Sequence, residues 1–438
     1  MADQPPSPQL PGSGAVAFLS RDFRRYQLAR VLVIIGAEAQ TLAIAWLVYQ
    51  LTHSALFLGY TGLVLFLPGL FFLLPAGHAA DRFDRRQVII VCYSLQIFCT
   101  LALFLFAWHG PHAVWPIYAV LFLVGTGRAF SGPASSALIP HLVPKEHFVN
   151  AVTWGATAFQ TANVVGPSLG GILYTLPLHG RIAGAAIVFI FTLATLVAFV
   201  SLMLSLHVRP GRMEHRAIST EVILAGIRYV WKTQILLGSI SLDLFAVLLG
   251  GAVALMPIFA KEILHAGPRG LGLLRAAPAI GALAVSMWLT WRPIQRRAGA
   301  KMFVCVGIFG ASTVLFGLSK SLPLSLIALF LVGASDMVSV VIRSSVLQLA
   351  TPTEMRGRVS AVNSLFVGAS NELGEFESGL TASWWGAVRA VVIGGIGSLA
   401  VTGLWSVFFP NLRRADQLTP EALLQFEEEQ SAEEVRHL

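Results

Sequence analysis

The residues of this chain that could do chemistry stand inside otherwise apolar stretches. The candidates are Glu38, Arg128, Asp243, Asp336, Arg343, Glu372, Glu375 and Glu377. A carboxyl removed from water favours its neutral form, so it can take up and release a proton near neutral pH. Charges in lipid-spanning segments are costly and mark ion, proton or substrate paths. Glu38 lies near the middle of its stretch and is the first choice of proton carrier. Glu372 and Glu375, on one helical face, come next, and Glu377 points roughly opposite. Asp243 lies early in its stretch. Arg128 and Asp336 hold equivalent places in two stretches, so a pairing between them is open, and Arg343 follows Asp336 by two turns on one face. The competing reading makes these Arg–Asp groups structural ion pairs and puts some of the acids nearer an aqueous rim. Phe66, Phe71, Trp154, Phe159 and Phe366 could line a cavity for an aromatic substrate, although aromatics in such segments mostly pack or anchor. Nothing points to an enzyme. The histidines are scattered, no Gly-Lys-Ser/Thr phosphate loop occurs, and Cys92, Cys99 and Cys305 lack metal-ligand spacing. No cofactor is expected, so the energy source would be a proton gradient.

The elements that position these groups follow from composition. Of 438 residues, 55% are hydrophobic and only 12% charged, about half the charge of a soluble domain. Mean hydropathy is +0.72. Twelve apolar segments are read at 28–51, 55–76, 87–108, 113–138, 148–174, 182–206, 235–260, 269–291, 301–319, 322–349, 358–381 and 387–409. Lipid forces each to be helical, because backbone groups cannot be hydrated there. Eighteen Lys and Arg, from Arg21 and Arg24 through Arg413 and Arg414, fall in the termini and even-numbered loops. Five (Arg181, Lys261, Arg269, Lys320 and Arg389) fall in the odd-numbered loops. That bias places both termini in the cytoplasm. It also reads the +8 net charge as topology rather than as a nucleic-acid surface.

The chain repeats itself. Val124-Gly-Thr-Gly-Arg128 is answered 208 residues later by Val332-Gly-Ala-Ser-Asp336, and Asn163-Val-Val-Gly166 by Asn371-Glu-Leu-Gly374 at the same offset; Ser135-Ser136 and Pro144-Lys-Glu146 have counterparts at Ser344-Ser345 and Pro352-Thr-Glu354. Six segments separate the copies, so the repeats are parallel, the plan of a two-lobed secondary transporter with its substrate path between the lobes. The expected organisation is a disordered segment 1–20 with no removable signal peptide, a six-helix lobe 21–206, a cytoplasmic linker with an amphipathic helix 207–232, a second lobe 233–409 and a solvated acidic tail 410–438.

Two motifs carry a family resemblance. Gly77-x-x-x-Asp81-Arg82-x-x-Arg85-Arg86, read as a tight charged hinge between the second and third segments, resembles the signature loop of the major facilitator superfamily. Gly166-Pro167-x-x-Gly170-Gly171 in the fifth segment is similar to its antiporter motif. Glu372-Leu-Gly-Glu375-Phe-Glu377-Ser-Gly and Leu274-Arg275-Ala-Ala-Pro278 resemble the branch of enterobactin-type siderophore exporters and related multidrug exporters. Asp84 stands for the usual Gly, Ala162 for another, and the loop Trp291–Arg297 keeps basic residues without the Gly and Asp of its counterpart. The latch is therefore read as asymmetric, with Gly77–Arg86 its principal element. The resemblance implies an all-α membrane fold of twelve helices in two lobes. It implies that Asp81 meets the start of the eleventh helix near Gly357, that the arginines pair with nearby acids, and that Gly166-Pro167 bends and seals a helix. The function so implied is proton-coupled export of a small siderophore-like or amphiphilic drug-like molecule by alternating access, in the inner membrane of a bacterium, by a monomer. The rivals are an importer or lysolipid transporter of the same fold, and a non-transporting receptor or scaffold.

Overall fold

The computed structural model describes residues 16–110, 113–176, 183–206, 220–292, 294, 296–352 and 355–414. The expectations for residues 1–15, for the linker 207–218 and for the tail after Arg414 lie outside the described residues, and so does that for the Asp81 side chain. Every regular element described is helical: α1 (Arg21–Thr52), α2 (Ala55–Phe71), α3 (Leu73–Arg82), α4 (Arg85–His109), α5 (Trp115–Leu138), α6 (Phe148–Tyr174), α7 (Ala183–Leu204), α8 (Thr220–Lys232), α9 (Gln234–Gly250), α10 (Met256–Ile258), α11 (Gly267–Trp291), α12 (Ala298–Leu318), α13 (Leu322–Leu349), α14 (Arg356–Trp385), α15 (Ala387–Phe408) and α16 (Pro410–Arg414), with short 3-10 and π turns between some of them. Eight described helices have the length and hydropathy to cross a membrane, and the pair α2–α3 makes a ninth. The remaining expected segments form α5, α6 and α14. These three are less apolar because they carry Arg128, the Gln160–Asn163 region and the glutamates of α14 on faces turned to the interior rather than to lipid.

Two expected segments differ in shape. The hinge is not a loop: Gly77 through Arg82 lie in α3, which is bent by 58° from α2. α2 runs past Pro68 to Phe71, and Pro75, in the first turn of α3, has no amide to give the Phe71 carbonyl, which is where the helix breaks. Asp84 closes the turn by accepting from the amides of Arg86 (2.8 Å) and Gln87 (3.3 Å), so the residue standing for a glycine is the N-cap of α4. The seventh segment is also broken. α9 stops at Gly250, a 3-10 turn follows (Ala252–Leu255), and after α10 the chain makes a π turn at Phe259–Ile263. The Gly251 carbonyl accepts from Ser378 Oγ at 2.6 Å, so the break leaves that group satisfied inside the bundle.

α1, α2, α4, α5, α6 and α7 pack together, as do α9 and α11 through α15. α8 joins the second set: Tyr229 donates to the Ala350 carbonyl at 3.0 Å, while Leu224 and Trp231 stay exposed. One buried cluster belongs to the first half (Phe23, Ile89, Leu138, Met203) and another to the second (Leu236, Met302, Val346, Val359). Both lie toward the end that carries Arg21, Arg85, Arg358 and Arg413, here called the basic end. A third cluster, at the distal end, is shared by the halves and joins Leu47, Leu58 and Phe189 to Phe259, Leu271 and Phe316. The halves therefore share a core at one end and have separate cores at the other.

Candidate functional site

A cavity of about 490 Å³ lies between the halves. Glu38 reaches it from α1, Arg275 from α11, Asp336 from α13 and Glu375 from α14. Asn163 and Asn371, which occupy matching positions in the repeat, both face it, with Gln160, Phe159, Phe309 and Phe316. The break in the seventh segment supplies Gly250, Gly251 and Ala252 to the wall. A chamber of about 40 Å³ adjoins it, lined by Gln40, Thr61 and Arg128 together with Arg275 and Glu375, which face both spaces. That volume suffices for a water or two held by polar partners. Glu372 stands outside the lining, within electrostatic reach of Glu375, Arg128, Arg275 and Glu38.

The charges are thus gathered differently from the expectation. Arg128 and Asp336 form no ion pair among the described residues; Arg128 faces the chamber beside Glu375, and Asp336 faces the main cavity. Arg343 pairs with Asp243 of α9 rather than following Asp336 into the cavity, and both partners are about 95% buried in the second half. Arg343 of α13 turns toward α9, so the two-turn spacing from Asp336 does not bring it to the site. Of the aromatics singled out in the sequence, Phe159 lines the cavity; Phe71 is exposed and Phe366 packs in the core of the second half.

The Gly166-Pro167 motif uses two faces of α6. A Cβ at Gly166 would lie 2.6 Å from Glu38 Cβ, and one at Gly170 would lie 2.8 Å from Ala39 Cα, so this face fits α1 within its own half. The other face meets the opposite half. A Cβ at Gly171 would lie 2.6 Å from the Pro268 carbonyl oxygen, and one at Gly272 would lie 2.7 Å from the Pro167 carbonyl oxygen. Pro167-x-x-x-Gly171 and Pro268-x-x-x-Gly272 are thus reciprocal, each glycine seated on the other helix's proline carbonyl. Small residues permit this backbone approach. α2 and α14 close the other side of the seam, with Gly59 against Gly379 and Gly62 against Glu375. Polar contacts fasten the same end: the Tyr49 hydroxyl donates to the Glu262 carboxylate, Lys261 lies 5.2 Å from the Tyr49 ring centroid, and Arg269 Nε donates to Thr175 Oγ1 at 2.8 Å. The Gly171–Pro268, Gly59–Gly379, Tyr49–Glu262 and Arg269–Thr175 approaches lie at the distal end, and Gly62–Glu375 continues the seam to the level of the cavity.

At the basic end the arginines of the expected gate serve their own half. Arg86 donates to the Met203 (2.9 Å) and Leu204 (2.6 Å) carbonyls at the end of α7. Arg85 donates to the Ala137 carbonyl (3.1 Å) near the end of α5 and meets His141 Nε2. The expectation that these arginines pair with acids is therefore corrected: they cap carbonyl-bearing helix ends, where a cation is favoured. Burial pushes the His141 imidazole below its ordinary value, and the Arg85 charge adds to that. Arg82 is exposed. Gly357, the expected seat of Asp81, faces open space, since a Cβ there would meet nothing within 4 Å.

Several site residues are absent from the sequence candidates. Arg275 stands inside the apolar run 269–291, so the criterion that picked Glu38 would have found it. Asn163 and Asn371 were visible as a repeat, though not as a site. Tyr49 and Glu262 carry no local pattern, because their meeting depends on how the halves dock.

A family profile described as transmembrane secretion effector matches residues 13–437. The enterobactin exporter EntS of Citrobacter koseri is 26% identical over 405 residues, covering 91% of this chain and 94% of that protein. The multidrug efflux pump Tap of Mycobacterium tuberculosis is 26% identical over 406 residues, covering 90% and 94%. Among solved structures, a bacterial homologue of the human lysosomal transporter Spinster superposes with a TM-score of 0.69 at 15% identity, covering 94% of this chain and 99% of that one. A bacterial homologue of the iron transporter ferroportin gives 0.67 at 18% identity, covering 90% and 98%.

Proposed function

We propose, because this chain belongs to the transmembrane secretion effectors of the major facilitator superfamily, that it is a secondary active exporter that moves a small organic molecule out of the cytoplasm in exchange for protons. The observation that carries the reading is the gathering of Glu38, Asp336 and Glu375, from three helices and both halves, around one drug-sized cavity. Such carboxyls can trade protons for substrate as access alternates. The excess of Lys and Arg at the basic end supports placing that end, with both termini, in the cytoplasm, and the bacterial relatives support a cytoplasmic-membrane location. On that orientation the cavity is entered from the cytoplasm, because the close approaches lie at the distal end. Substrate would enter there, the halves would rock, and the glycine–proline seam would part to release it outside. The names of the relatives support either a siderophore-like or a drug-like substrate.

The test is protein-dependent efflux in proteoliposomes under an imposed pH gradient. Glu38→Gln should leave the protein folded and uncouple flux from the gradient. Persistent coupling moves the proton to Glu375 or Glu372 of α14. No protein-dependent flux for any cationic, neutral or catechol substrate would sink the exporter reading.

A further inference from the structure

The charge of the cavity discriminates between the two substrate types left open above. We propose that the site takes a compact amphiphilic cation, a positively charged nitrogen-type centre joined to an aromatic or branched apolar body, and excludes a catecholate anion. The inference rests on the export reading for the direction of flux, though not for binding.

Three carboxyls and one guanidinium line the space: Glu38, Asp336 and Glu375 against Arg275. Arg128 joins Arg275 and Glu375 in the small chamber, so two guanidiniums act on that acid without forming an ion pair among the described residues, and the three cavity acids still outnumber them. Glu38 and Asp336 have no ion-pair partner among the described residues. Ionised, the set is short of positive charge, and the missing charge is what a cationic substrate supplies. An anion entering the same space would lose its hydration and meet a lining in which carboxyls outnumber guanidiniums. The apolar lining agrees with this. Phe159 and Phe309 border the cavity from α6 and α12, and an aromatic ring adds attraction for a desolvated cation. The amides of Asn163 and Asn371 can orient a neutral polar part of the ligand without changing the charge balance. Protonation of the carboxyls would leave Arg275 as the charge of the cavity, so protons and a cationic ligand are alternative occupants of one set of groups.

The experiment uses two probes of nearly equal shape and opposite permanent charge, tetraphenylphosphonium and tetraphenylborate. Binding to the purified full-length protein is measured by equilibrium dialysis, with protein-free micelles subtracted. The phosphonium should bind at least tenfold more tightly than the borate. Asp336→Asn and Glu375→Gln should each weaken phosphonium binding about tenfold and leave borate binding no weaker. Arg275→Gln should tighten phosphonium binding, a change that misfolding cannot produce. Equal or tighter borate binding overturns the proposal, and so does phosphonium affinity that is unchanged in the Asp336→Asn, Glu375→Gln double variant. A flux assay on the same preparation separates the two readings. Phosphonium binding without efflux sinks export and leaves the substrate class standing. Efflux of a catecholate without phosphonium binding does the reverse.

Discussion

Replacing Gly171 by alanine should shift the protein toward the state that is open at the distal end. The added methyl would lie 2.6 Å from the Pro268 carbonyl oxygen. An ordinary C···O contact is about 3.3–3.6 Å, so α6 and α11 must separate by roughly 0.7–1 Å. The obstacle is backbone on a packed helix, which cannot swing aside as a side chain can. Overpacking of this kind costs about 1–3 kcal/mol, and it acts only while the seam is shut. At about 1.4 kcal/mol per tenfold, the closed-to-open ratio should fall by about 5- to 140-fold. Gly166→Ala is the control. Its methyl would lie 2.6 Å from Glu38 Cβ within one half, so every state bears the strain and stability falls without a shift. The assay is labelling of Val332→Cys, a cavity position, by a membrane-impermeant maleimide applied from the distal side, with Cys92, Cys99 and Cys305 replaced. Labelling should rise in Gly171→Ala and stay low in Gly166→Ala. Equal labelling in both would refute the assignment of the two faces of α6.

Other expected outcomes follow from the same contacts. Tyr49→Phe removes the hydrogen bond to Glu262, which is exposed, so about 0.5–1.5 kcal/mol is at stake and distal labelling of Val332→Cys should rise several-fold. Asp243→Asn leaves Arg343 buried without its counter-charge and should lower stability by about 3–5 kcal/mol, whereas a Leu/Leu double replacement should recover most of it, as read by thermal unfolding in detergent. The lowered pKa of His141 means that the unfolded chain binds this proton first. The stability contributed by the neutral ring is complete above its ordinary 6.5 and is lost as pH falls. The melting temperature of His141→Gln should therefore drop less than that of the parent between pH 7 and pH 5.

Segments such as 87–108 and 387–409 were legible because lipid leaves an apolar stretch one solution, the helix. Glu38, Asp336 and Glu375 were legible for the complementary reason, since a charge inside such a stretch has to face something other than lipid. Partnership was not legible. Arg343 was assigned by its spacing from Asp336, yet its partner Asp243 lies 100 residues earlier on a different helix. Helical spacing reports which residues share a face; which neighbour that face meets is set by packing of the whole half. The gate arginines were misread in a similar way. A sequence shows charges seeking charges, whereas Arg85 and Arg86 found the dipolar ends of α5 and α7, whose carbonyls no residue pattern displays.

The two ends of the bundle are built on different physics, and that difference bears on how it can move. The distal end shuts by backbone seated on backbone, with Pro167 and Gly171 against Gly272 and Pro268, over a core to which both halves contribute. Parting it means exposing apolar surface, so the step needs compensation, which on the proposed export cycle would come from substrate or protons arriving at the cavity below. The basic end has no such debt. Each half there has its own closed core, and its helix ends are satisfied from within: Arg86 on α7, Arg85 on α5, Asp84 on α4. The halves can stand apart at this end without stranding a carbonyl or an apolar face. A state with the basic end open would therefore require no ligand, and on the proposed cycle closure there would be driven by contacts that form only on approach. On the proposed export cycle α3 would supply them, because it is the short bent helix whose Arg82 remains exposed while its neighbours Arg85 and Arg86 are engaged.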